Sequence, residues 1–339
     1  MDPVTQGVLG ASVSSAVSPK RTLLAAGLFG ALAGMAPDLD SLIRSEADPL
    51  LYLKYHRQFT HSLIFIPLGA LVCAGFFYVS LARRWGITFG RTYLFCFLGY
   101  ATHGLLDACT SYGTQLLWPW SEERFAWNTI SIVDPLFTVP LLALVVTGLL
   151  KRNPFFARVA LCWVVAYQGL GFFQHHRVAA VGAELAQERG DAVVRMEVKP
   201  SFANLLLWKV IYETEQGFHT DAVRAGLQVT VYPGGVTPVL NIEDDLPWLR
   251  EGSQQARDLE RFKGFSRGYL SLDPSNPLRV IDMRYSLVPN EATGMWSLWF
   301  DPEASDGDHV RFIEDRETGA SSREKVIRML LNQEMASPE

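Results

Sequence analysis

Apolar residues in the first half of the chain come in blocks rather than in alternation. Runs at about 4–17, 22–36, 63–82, 92–109, 132–150 and 157–174 are apolar on most sides, as helices in lipid are. The last four approach the ~20 residues needed to cross a bilayer. The first two are shorter, and their Gly27, Gly30, Ala33 and Gly34 permit close helix contact. Residues 1–174 are therefore expected to form an α-helical integral membrane bundle of about six helices. Past Arg177 a helical pattern continues through 178–189, and alternation then takes over. Segments 192–198, 206–213, 217–224, 227–232, 278–287 and 294–300 read as strands, with a turn at Tyr232-Pro233-Gly234-Gly235. Residues 252–270 read as partly helical and 321–334 as a terminal amphipathic helix. The expected second part, 175–339, is a soluble α+β or mostly β domain.

Charge sharpens that division. Residues 1–174 hold 12 Lys/Arg and 9 Asp/Glu, against 18 and 26 in residues 175–339. A formal net charge of −5 argues against a nucleic-acid partner. All four cysteines, Cys73, Cys96, Cys109 and Cys162, lie in apolar runs without CxxC spacing, so no disulfide scaffold is expected. The opening Met1-Asp2-Pro3 has no basic stretch of the kind that begins a cleavable leader. Short connections carrying Lys20, Arg21, Arg83, Arg84, Arg91, Lys151, Arg152 and Arg158 are expected on the cytoplasmic side. The loops 37–62 and 110–131, with only Arg44, Lys54, Arg57 and Arg124, then face outward with residues 175–339. A multi-pass protein of the bacterial inner membrane with a periplasmic C-terminal domain is the expectation.

Three patches of ionisable residues fall on that outward side: Pro37-Asp38-Leu39-Asp40, His56-Arg57-Gln58-Phe59-Thr60-His61-Ser62, and His103-Gly104-Leu105-Leu106-Asp107. His103 and Asp107 are four apart on a helix and share a face. Burying them in an apolar helix costs several kcal/mol unless compensated. A functional site and a His–Asp hydrogen bond joining two helices are equally open for that pair alone. Asp38 and Asp40 reach one centre only where the chain turns or extends; taken alone they read more simply as helix-end interfacial residues. His56 and His61, five apart, need a break to converge. Arg57, Thr60 and Ser62 suit a bound anion. Taken together, three His and three Asp form a mixed N/O donor set suited to Zn²⁺ above all, with Mn²⁺ or Fe²⁺ as alternatives, as one ion or two. Asp134, before Pro135, reads as a helix cap before it reads as a ligand. Trp118, Trp120, Phe125 and Trp127 read as an interfacial belt. His175, His176, His219 and His309 form no constellation.

At these positions the chain resembles the YdjM-like family of membrane-bound, metal-dependent hydrolases, some described as LexA-regulated. The motifs that carry the resemblance stand here as Met1-Asp2-Pro3-Val4-Thr5-Gln6, Pro37-Asp38-Leu39-Asp40, His56 through Ser62, Thr102-His103-Gly104-Leu105-Leu106-Asp107 and Leu117-Trp118-Pro119. The resemblance covers about residues 1–174 and implies Asp38, Asp40, His56, His61, His103 and Asp107 as metal ligands. Gln6 departs from it, standing where a His is common, and a neutral amide is a poor transition-metal ligand.

The expected activity is hydrolysis of an amphiphile, a phospholipid or another lipid-linked ester or phosphoester, with Asp38 or Asp40 as general base and Arg57 stabilising negative charge. Membrane lipids are the expected partners, with a protein partner for residues 175–339. A zincin motif, His-Glu-x-x-His, is absent, as is the Pro-Ser-Gly-His element of metal-free lipid phosphatases. Competing expectations are a metal-binding transporter or sensor without turnover, and a scaffold whose metal is structural.

Overall fold

A computed structural model describes residues 1–315 and 319–333. The chain resolves into two compact units, one of Met1–Ile43, Lys54–Phe173 and Phe202–Asn204, the other of Arg44–Leu53, Gln174–Ser201 and the chain from Leu205 onward.

The first unit is helical. It contains α1 (Pro3–Ala16), α2 (Leu23–Met35) and a 3₁₀ stretch at Ala36–Leu42. After α3 (Leu51–Tyr55) come 3₁₀ turns at Phe59–His61 and Leu63–Phe65, then α4 (Ile66–Phe77), extended by a π turn at Tyr78–Ala82. The remaining helices are α5 (Phe89–Ala108), α6 (Pro135–Leu150) and α7 (Phe155–Arg189), whose residues from Gln174 onward belong to the second unit. Asp2 caps α1, accepting from Thr5 N at 3.0 Å, with Pro3 in the first turn. Asp134 does the same for α6, accepting from Leu136 N at 3.1 Å, and its other oxygen takes the Tyr167 hydroxyl at 2.8 Å.

Every apolar run is a helix, but not every helix has the length and hydropathy of a candidate span. Among the described residues three segments are long and apolar enough to cross a membrane: Lys20–Leu42, Leu63–Ala82 and Phe155–Arg189. The other apolar helices fall short of that length or hydropathy for physical reasons. At 1.5 Å per residue the 14 residues of α1 reach about 21 Å, short of a ~30 Å hydrocarbon core. Helix α6 is apolar but has only 16 residues. Helix α5 has 20 residues, but Arg91, Thr92, His103 and Asp107 dilute its hydropathy. Helix α1 packs instead against α2 and α5: a Cβ at Gly10 or Gly99 would strike the Gly30 carbonyl. Behind this contact Phe29, Ala33, Ala70, Ala74, Phe95 and Tyr100 form the core.

The second unit holds two antiparallel sheets. The first comprises β1 (Arg195–Pro200), β2 (Leu207–Thr214), β3 (Gly217–Ala225), β4 (Val229–Tyr232) and β5 (Val236–Thr237), ordered β1-β2-β3-β4 with β5 on β3. After the short helices α8 (Ile242–Asp245) and α9 (Gln254–Phe265), the second comprises β6 (Leu270–Asp273), β7 (Asn276–Asp282), β8 (Trp296–Trp299) and β9 (Arg311–Glu314) in sequential order. Ile211 and Phe218 meet Tyr269, Ile281 and Met283 in a buried cluster, and α10 (Ala320–Leu330) seals Leu207 and Tyr232 with Met329. The expected terminal helix is thus present through Leu330, and its last expected residue, 334, lies outside the described part. Leu270, the last residue of the stretch expected to be partly helical, opens strand β6.

Candidate metal centre

Four local features bring the candidate residues together. Pro37 lies in the first turn of the 3₁₀ stretch after α2, and three residues per turn put Asp38 and Asp40 about 240° apart. Arg57 follows α3 in the left-handed region (φ 62°), and the 3₁₀ turn Phe59–His61 breaks the chain between His56 and His61. On α5, His103 and Asp107 share a face, with Nε2 and Oδ2 3.8 Å apart.

Four atoms converge. His61 Nε2 lies 2.9 Å from His103 Nε2, 3.5 Å from Asp38 Oδ1 and 3.3 Å from Asp107 Oδ2. His103 Nε2 lies 3.4 Å from Asp38 Oδ1. A tetrahedral shell with bonds of ~2.0–2.1 Å has ligand–ligand edges of about 3.3–3.4 Å, and these separations scatter around that value. All four atoms lie within 4.8 Å of one another.

Hydrogen bonds fix both ring tautomers. His103 Nδ1 lies 2.6 Å from the Gly34 carbonyl, which only accepts, so Nδ1 carries the proton and Nε2 presents a lone pair. His61 Nδ1 faces Thr60 Oγ1 at 2.9 Å and Asp40 Oδ2 at 3.2 Å, while the Thr60 hydroxyl donates to Asp40 at 2.7 Å. His61 Nδ1 is therefore also a donor. Two lone pairs 2.9 Å apart repel, so the gap between the rings calls for positive charge. Burial opposes a proton on His61, but the carboxylates of Asp107, Asp38 and Asp40 outweigh it and push the imidazole up to about 10. A divalent cation suits the same place. Asp107 Oδ2, fully buried, has Arg57 Nε at 2.9 Å but no well-aligned hydrogen bond, which leaves it available to a cation. The donor set could hold a divalent metal ion.

Asp40 stands behind this group. Its Oδ1 takes His56 Nδ1 at 2.8 Å, and its Oδ2 takes the Arg57 backbone N–H at 3.0 Å as well as Thr60 and His61. It contacts both imidazoles and accepts hydrogen bonds on both oxygens. Asp38, Asp40 and His56 also form a second group of suitable spacing. Burial lowers the His56 pKa despite the Asp40 bond. Asp38, with 24% of its side chain exposed, is the site carboxylate that reaches the outside.

The residues expected to receive an anion are placed otherwise. Arg57 is buried, with its guanidinium on Asp107, on the Thr110 hydroxyl at 2.9 Å and over the Tyr112 ring. Ser62 donates to the Phe59 carbonyl at 2.8 Å. Gln6 donates to Asp107 Oδ1 at 2.8 Å, beside the Met1 amino group. The Gly34 carbonyl and Thr110 were not legible as site groups, since a backbone oxygen and a lone Thr leave no sequence signal.

The family model described as YdjM inner membrane protein matches residues 1–178. The chain belongs to the YdjM family. Inner membrane protein YbcI of Escherichia coli (strain K12) is 36% identical over 131 residues, 37% of this chain and 69% of that protein. Uncharacterized protein YfhP of Bacillus subtilis (strain 168) is 22% identical over 297 residues, 84% of this chain and 87% of that protein. That second likeness extends past the part matched by the YdjM model. No solved structure matches the chain.

Proposed function

We propose that this YdjM-family protein is a metal-dependent hydrolase of the inner membrane, acting on a phospholipid or other lipid-linked ester or phosphoester at the outward face. In this reading the chain crosses the bilayer several times with its eight-residue basic set inside, and the C-terminal unit is periplasmic. One observation supports it: four donor atoms from distant parts of the chain lie within 4.8 Å of one another, with both imidazole tautomers already set. When bound, a divalent cation lowers the pKa of its water and polarises an ester or phosphoryl oxygen. The chain's own groups supply orientation and proton handling. Gly34 and Asp40 hold the two rings, Arg57 and Gln6 hold Asp107, and Asp38 accepts a proton at the open side.

The test is incubation of wild type and Asp38→Ala with a total lipid extract, scoring released headgroups and fatty acids. Release by wild type that falls in the variant supports hydrolysis. The full burial of His61, His103 and Asp107 favours a second reading, a metal-binding transporter, sensor or scaffold without turnover and with a protein partner on the C-terminal unit. Stoichiometric metal with no lipid product from either protein selects that reading. The ends of the apolar helices near Leu81, Tyr93 and Leu149 carry no His or acid, which disfavours a through-membrane ion path.

A further inference from the structure

Apolar side chains stand exposed at one end of the first sheet. Leu227, in the turn between β3 and β4, is fully exposed (105%), and Leu206 and Val229 beside it are also open. They are neighbours: Val229 pairs with Ala225 across the turn, and Ala225 N donates to the Leu206 carbonyl at 2.6 Å. An exposed leucine at a turn tip is unremarkable alone; what holds this turn in place is informative.

The turn is tied to α7 where that helix changes character. Residues 159–173 are apolar but for Gln168, with Val165, Leu170, Phe172 and Phe173 exposed, and the polar run Gln174-His175-His176-Arg177 follows. Such a change marks the bilayer boundary of a spanning helix. Gln174 Nε2 donates to the Leu205 and Ala225 carbonyls at 3.2 and 2.7 Å. Arg177 Nη1 donates to the Gly226 carbonyl at 2.6 Å and Nη2 to that of Leu227 at 3.4 Å. Both loop tips are thus clamped to the first polar turn beyond the apolar stretch.

We propose that Leu206, Leu227 and Val229 form a lipid-inserting tip that seats the C-terminal unit on the outer leaflet. Insertion to the depth of interfacial side chains, about 5–10 Å into the headgroup–acyl boundary, fits short aliphatic tips with Arg177 behind them. The tip rests on the membrane character of the family, and needs neither metal nor turnover.

An environment-sensitive fluorescent amino acid replacing Leu227 in the full chain, reconstituted in phosphatidylethanolamine–phosphatidylglycerol vesicles, reads this directly. The expected result is blue-shifted emission and about twofold quenching by lipids brominated near the headgroup end of their acyl chains, a depth contact of the interfacial kind. The same probe replacing exposed Glu303 is the control, and one replacing Leu206 checks the result at a second site. Equal, unquenched emission at 227 and 303 overturns the proposal. So does a blue shift that lipid bromine leaves unquenched but that grows with the protein-to-lipid ratio, because the tip then contacts a second copy of the chain. Loss of hydrolysis leaves the measurement untouched.

Discussion

The Nε2 atoms of His61 and His103 face each other across 2.9 Å, while the opposite nitrogen of each ring is engaged by a group that fixes it. Gly34 serves one ring and Asp40 the other, so ligand and support are separable by mutation. His103→Ala removes a donor atom, and stoichiometric metal in the purified protein is expected to be lost. Asp40→Asn leaves all four donors of the central group present but weakens the hold on His56 and His61; affinity is expected to fall about 10–100-fold, as for other supports of metal-binding histidines. Competition with a chelator of known affinity measures both. Full metal content in His103→Ala removes this ring from the site.

Gly104 gives a purely steric version of the same test. Its position on α5 lies against the His61 backbone, and an added Cβ would strike the His61 carbonyl. Gly104→Ala therefore pushes the turn that carries His61 while keeping every ligand. Strain of about 1–3 kcal/mol is expected, seen as a lower Tm together with weaker metal binding. An unchanged metal affinity would show that the His61 turn yields without consequence.

The site's members were legible because their types and spacing survive in one dimension: a Pro-Asp-x-Asp, two His flanking a break, and a His-x-x-x-Asp helix. Their division of labour was not. Asp38 and Asp40 take different tasks because the segment folds as a 3₁₀ helix, which a two-residue spacing does not announce. Arg57 looked available to an anion, but an ion pair to Asp107, 50 residues away in sequence, consumes it. Apolar blocks revealed where helices lie, yet whether each spans depends on length and on what it packs against, as the 14-residue α1 shows. Strands β5, β6 and β9, two to four residues long, are too short to display alternation. The place of residues 44–53 in the second unit depends on long-range pairing, and no local pattern encodes it.

That pairing joins Arg261 of α9 to Asp48 through two bonds of 2.9 Å each. Asp48 in turn accepts the Leu50 N–H, and Asp258 holds Arg261 from the other side at 3.1 Å. Segment 44–53 is flanked in the chain by Asp40 and His56, so freeing it loosens the approach to both. The pair is partly exposed, and Arg261→Ala is expected to cost only about 1 kcal/mol of local stability. Amide hydrogen exchange over residues 45–53 should accelerate in the full chain, with a smaller fall in metal affinity. Unaltered exchange would mean that other contacts carry the loop.

Lys199 and Lys209 sit directly opposite each other on β1 and β2, both buried. Lys199 lies over the Tyr285 ring, 3.5 Å from Glu197, and Lys209 donates to the Ser286 hydroxyl at 2.9 Å and the Glu291 carbonyl at 3.2 Å. Burial, reinforced by the neighbouring ammonium, pushes Lys209 down to about 7. An unfolded lysine titrates near ~10.4. The fold therefore carries the penalty of charging Lys209 in full below pH ~7 and sheds it as the pH rises toward ~10.4. Stability of the second unit should increase between neutral and alkaline pH, by about 1–3 kcal/mol once relaxation around a buried charge is allowed for. Lys209→Met deletes the titrating group, so the alkaline gain should shrink relative to wild type. Unfolding midpoints of both proteins in detergent at pH 7 and pH ~9.5 measure the difference, and an equal gain in the two excludes Lys209 as its source.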